Sequence, residues 1–211
     1  MNKILVTLLF IAVVIAGGWF VWQNWPKTQL VVNNQQNQNT SDETVSWKVY
    51  NKDGFITFKY PNAWTVGELF EVDKSGNYTL VVTARSENYQ IDTKNFFLTG
   101  GSELEVRKEN IVNPQIYIDN YEKFEDLVYG NFKYYDKNKI TDVKKIVVGD
   151  GMGVIFNPEV GDSRGVGVKD TEAGLLSQKG SFYRVRFLSK EANSKEILNQ
   201  ILSTFKFLPQ K

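Results

Sequence analysis

The side chains able to do chemistry in this sequence are carboxylates, lysines and tyrosines, because it contains neither cysteine nor histidine. Without cysteine there is no thiolate nucleophile, no disulfide, no Cys-based zinc site and no lipid-modified cysteine. Without histidine the usual general base near neutral pH and the commonest transition-metal ligand are both missing. Ser-His-Asp and Cys-His mechanisms are therefore excluded. What remains is a pair of carboxylates, as in glycoside hydrolysis, and no spacing in the sequence singles out such a pair.

Three other groupings merit weighing. Residues 144–153, KKIVVGDGMG, have the outline of a phosphate-binding loop. That motif ends on Lys-Ser/Thr, which reaches phosphate and magnesium. Here Val154 and Ile155 follow instead, and a hairpin turn is the better reading. Asp150, Glu159, Asp162, Asp170 and Glu172 fall in and around a glycine-rich stretch and offer oxygens for calcium. They lack EF-hand spacing, so solvated loop carboxylates are expected. Among the aromatics, Trp47, Tyr50, Tyr60 and Trp64 sit at strand spacing and are expected in the core. Tyr129, Tyr134 and Tyr135 follow a helical stretch and are the expected interaction surface. No residue is assigned to catalysis, to a cofactor or to a metal.

The elements that would position these groups begin with a hydrophobic run. Residues 4–22, ILVTLLFIAVVIAGGWFVW, are nineteen uncharged residues, and a helix of that length spans about 28 Å, close to the ~30 Å hydrocarbon core. Lys3 precedes it and Trp19, Trp22 and Trp25 cluster at its far end, where interfacial aromatics collect. Residues 1–26 are therefore read as a transmembrane anchor, N-terminus cytoplasmic. The alternative is a signal peptide cleaved after small residues near Gly17. Residues 27–44 are Asn/Gln-rich without apolar periodicity and read as a disordered linker. Both readings place residues 45–208 outside the cytoplasm. The chain's net charge of +1 provides no basic surface for nucleic acid.

Within 45–208 the pattern is mostly that of strands. Asn51-Lys52-Asp53-Gly54 turns the chain into residues 55–60, which alternate and stop at Pro61. Trp64 is expected to be buried, and residues 65–73 and 78–85 continue as hairpin-joined strands. Residues 88–99 read as irregular, and 102–108 alternate again. Asn113-Pro114 is expected to open one helix with the stripe Tyr117, Tyr121, Phe124, Val128 and a stop at Gly130. Hairpins follow at 143–157 and 175–188, with a long polar loop, 158–174, between them. A closing helix begins with a capping box at Asn193 and Glu196, and buries Ile197, Leu198, Ile201, Leu202 and Phe205. The sum is an α+β fold with helices covering an antiparallel sheet.

Two phrases resemble a known family. Trp47, Tyr50, Gly54, Phe55, Tyr60, Pro61 and Trp64 form W-x-x-Y…G-F-x-x-x-Y-P-x-x-W, and residues 197–207 read ILNQILSTFKF. Both are similar to the opening and the ending of PsbP-like domains. The resemblance implies an α/β/α sandwich around a central, mostly antiparallel sheet. That family includes extrinsic photosystem II subunits, a related factor that binds the small GTPase Ran, and many bacterial exported proteins. It transfers no functional residue, and this chain lacks a transit-type leader and any histidine. The expectation is a non-enzymatic, membrane-anchored domain that binds a protein of the cell envelope, besides the lipid bilayer met by residues 4–22. The alternatives are a small-ligand or glycan-binding module and a carboxylate-based hydrolase.

Overall fold

A computed structural model describes residues 44–72, 78–131, 139–159 and 166–208. The anchor and nearly all of the linker lie outside this range, as do Asp162, Tyr134 and Tyr135. Among the described residues no helix is long and apolar enough to cross a membrane.

The chain from Thr44 onward forms one unit of mostly antiparallel sheet with a few helices. A turn at Thr44–Trp47 leads to β1 (Lys48–Asn51), which pairs with β2 (Ile56–Tyr60). Gly54 takes a φ of 70° in the connecting turn, a conformation without penalty only for glycine. Pro61 then ends β2, and the Trp64 N–H closes a turn onto the Pro61 carbonyl at 3.0 Å. The next strand, β3 (Thr65–Val72), does not return along β2 as the sequence suggests. It starts a different sheet, and Pro61–Trp64 is the crossing between the two. The crossing is fixed by Trp64 itself, whose ring is buried and stacks on Phe187 with centroids 6.2 Å apart.

From there β3 pairs with β4 (Tyr78–Arg85) and the chain makes a small hairpin, β5 (Gln90–Asp92) with β6 (Phe97–Gly100), inside the stretch expected to be irregular. Next come β7 (Ser102–Glu109), α1 (Gln115–Ile118), α2 (Tyr121–Asn131), β8 (Ile140–Val148) and β9 (Gly151–Pro158). They are followed by β10 (Lys169–Leu176), β11 (Phe182–Ser189), α3 (Ser194–Ser203) and β12 (Lys206–Phe207). The large sheet runs β3-β4-β7-β11-β10-β9-β8, and the small one β1-β2-β12.

Alternation along the central strands decides what each face does. Leu104, Val106, Tyr183, Val185, Phe187, Ala173 and Leu175 point to one face and share a core with Ile56, Phe58, Leu198, Ile201 and Phe205. The small sheet and α3 thus cover that face. The Tyr183 hydroxyl donates across the layers to the Phe55 carbonyl at 2.6 Å, and within the cover the Lys59 N–H donates to Thr204 Oγ1 at 2.8 Å, tying the small sheet to the end of α3. Burial pushes the Tyr183 hydroxyl up to about 12. On the opposite face α2 sets Phe124, Val128 and Tyr129 against Val154, Phe156, Leu176 and Phe182. Gly174 permits this approach, since a Cβ there would lie 2.3 Å from Val128 Cγ2.

Three further expectations are corrected. The helix after Asn113 is two helices: Pro114 starts a single turn, and the Asn120 carboxamide then accepts the Lys123 N–H at 3.1 Å and caps α2 anew. The polar stretch expected to be a loop up to residue 174 is β10 from Lys169, because Arg186 on β11 meets its acidic residues. Finally, Asn193 precedes α3 without a side-chain capping bond.

Candidate functional site

The tyrosines expected to form an interaction surface divide. Tyr134 and Tyr135 lie outside the described residues. Tyr129 is not on the surface: it is 3% exposed, its ring meets Phe156 edge-on with centroids 5.4 Å apart, and its hydroxyl donates to Glu125 at 2.7 Å. Burial first, and then the Glu125 carboxylate, hold that hydroxyl protonated well above the ordinary tyrosine range. An aromatic after an exposed helix reads as surface in sequence, but residue 129 lies on the face that α2 presents to the sheet.

The carboxylates considered for calcium are dispersed. Asp150 sits exposed in the β8–β9 turn, and Glu159 is exposed at the end of β9. Asp170 and Glu172 are interior, on the α2-facing side of β10. Among the described residues no three acids gather in a metal-binding group. KKIVVGDGMG is the β8–β9 hairpin, with Gly149 at a φ of 58°. Tyr50 and Trp64 lie in the core, and Trp47 and Tyr60 pack against it.

Asp170 and Glu172 belong to a lattice of ion pairs across the same face, beside the area α2 covers. Arg186 Nε stands 3.7 Å from Asp170 Oδ2 and 3.9 Å from Glu172 Oε1, and the two carboxylate side chains are only 1% and 3% exposed. Arg184 reaches Glu109 at 3.3 Å, Arg107 reaches Glu71 at 2.7 Å and Glu105 at 3.6 Å, and Arg85 reaches Glu103 at 2.6 Å. Burial raises the Glu105 carboxyl above its ordinary range despite Arg107 beside it. Buried acids need such partners, since removing one partner of a buried pair strands a charge at about 3–5 kcal/mol. The register makes the pairs: Glu172 faces Arg186 across β10–β11, and Arg186 faces Glu105 across β11–β7. A guanidinium, not an open cleft, lies between the two acids. This arrangement holds neighbouring strands together.

A depression of about 470 Å³ lies between α1 and the β10–β11 turn, lined by Pro114, Ile116, Ile118, Gln178, Lys179 and Gly180. No aromatic ring lines it, so it has no stacking platform for a sugar.

The strongest surface feature is an edge of the large sheet. β3 pairs with β4 in unbroken register from Thr65 opposite Arg85 to Val72 opposite Tyr78. On its other side, among the described residues, no strand pairs with it. Leu69, Phe70 and Val72 are 43%, 62% and 56% exposed. Proteins usually blunt such an edge with lysine, proline, a bulge or charge. β3 has no lysine or proline, and its two glutamates are engaged by their own chain. Glu68 accepts from the Tyr50 hydroxyl at 3.0 Å and from Lys52, which draws its carboxyl below the ordinary range, while Glu71 pairs with Arg107. The opposite edge, β8, is guarded. Although Val143 and Val147 are exposed on it, its register shifts between Thr141 and Lys144, Asp142 takes a φ of 54°, and Lys144 is exposed, while Lys145 lies over the Tyr121 ring. Sequence reading places β3 as a strand but leaves its edge position unseen; apolar residues at both parities in Glu-Leu-Phe-Glu-Val are the available signal.

The chain matches no protein-family model and no curated protein.

Proposed function

We propose that this protein is a non-enzymatic protein-binding module on a membrane tether, with β3 as its docking edge. In this reading residues 4–22 cross the cell membrane once with the N-terminus cytoplasmic. Residues 27–44 space the domain from the bilayer, and the domain itself is a PsbP-like α/β/α sandwich outside the cytoplasm. One observation carries the docking edge: an eight-residue edge strand in unbroken register exposes Leu69, Phe70 and Val72, while the opposite edge is interrupted by a bulge. Strand addition to such an edge supplies main-chain hydrogen bonds for affinity and side-chain contacts for selectivity. The single hydrophobic run of residues 4–22 supports the tether, and the lack of cysteine and histidine supports a non-catalytic role.

A photoreactive amino acid at position 70 in the full chain, expressed at native level, tests it. A discrete protein adduct at position 70, absent when the group is placed at Val147 on β8, is the expected result. No protein adduct at position 70, or the same adducts from both edges, would sink the docking edge.

A further inference from the structure

We infer that the strand β3 receives is β3 of a second copy of this chain, joined antiparallel about a two-fold axis at Leu69. The inference rests on the reading of β3 as a docking edge and adds the identity of its occupant. An antiparallel strand pair is its own two-fold partner, so β3 on β3 closes at two chains. Pairing β3 with β8 of the next copy would instead propagate without end, and the bulge between Thr141 and Lys144 and the exposed Lys144 side chain oppose it.

Strand length and charge together select the register: within Thr65–Val72 only centring on Glu68 or on Leu69 keeps seven residues paired, and charge decides between those two. Residues directly opposite one another must lie on the same face of the joined sheet, which restricts the choice to even register sums. Centring on Glu68 would set Glu68 against its symmetry mate, and like charges directly opposite destabilise a pair. Centring on Leu69 sets Leu69 against Leu69, Glu68 against Phe70, Gly67 against Glu71 and Val66 against Val72. No carboxylate then faces another, and each remains beside the cation that already holds it, Lys52 for Glu68 and Arg107 for Glu71. The exposed Leu69, Phe70 and Val72 all enter the seam, which leaves their apolar surface covered.

The absence of cysteine makes a clean test, because Leu69→Cys introduces the only thiol. Opposed residues of an antiparallel pair have Cα atoms roughly 4.5–5.5 Å apart, within disulfide range. Leu69 is exposed enough for the substitution to leave the fold intact. The full-length variant in its own membrane fraction is treated with a mild oxidant, with Val147→Cys on β8 as the control. Covalent homodimer at about tenfold or more above the control is expected, as proximity in a fixed pair demands. Equal dimer from both variants would overturn the inference as collision. A Leu69→Cys adduct with a different protein and no homodimer would overturn the second copy as occupant but leave β3 a docking edge. No adduct of any kind would overturn both.

Discussion

Trp64 stands at the crossing from the small sheet to the large one, and the two sheets share a core at that point. Its ring, 5% exposed, stacks on Phe187 nearly parallel, at 7°. Trp64→Ala leaves a cavity between the layers and is expected to lose about 3–5 kcal/mol in a urea melt; a loss below about 1 kcal/mol would contradict the burial. This residue is legible in sequence because a proline stop followed by a tryptophan has few uses other than returning to a core. Asp170 and Glu172 are the opposite case. Two acids in a glycine-rich stretch read as a loop, and only the arginine on the neighbouring strand makes them interior residues. The pairing depends on a contact sixteen residues or fewer away in sequence, yet the alternation Phe182, Arg184, Arg186 carried its half of the signal.

At the scale of elements, hairpins with short turns are plain in the sequence and helix breaks are not. Residues 143–157 and 175–188 alternate about glycine turns, and both hairpins form as expected. The stripe Tyr117, Tyr121, Phe124, Val128 fits one helix, yet the chain restarts at Asn120, where the side chain outcompetes helix continuation by capping the Lys123 N–H. Asn120→Ala is therefore expected to lose about 1 kcal/mol of stability, read by thermal or denaturant melting. Asn193→Ala, which removes no capping bond, is the control and should change little. Equal losses from the two substitutions would place the start of α2 elsewhere. The small hairpin β5–β6 carries no periodic signal in the sequence, because its strands are three and four residues long, too short to establish a period.

For the whole molecule, the fold explains why the candidate site lies on an edge and not in a cleft. The small sheet and α3 cover one face of the large sheet, and α2 with the ion-pair lattice occupies the other. The depression beside α1 is open and without aromatic lining. The edges remain, and they are unequal: both expose apolar side chains, but β8 is bulged and bears an exposed lysine at Lys144, whereas β3 keeps an unbroken register. Strand order determines which strand is outermost, and strand order is a long-range property that alternation along one strand does not encode. Backbone amide exchange tests this most directly, since alternate amides of an unpaired edge face solvent and those of an augmented edge do not. With the full chain in its membrane, the account predicts slow exchange across residues 66–72, lost on dilution into detergent at low concentration, while residues 140–148 stay unchanged. Rapid exchange of the outward amides of residues 66–72 in the membrane-held protein would contradict it.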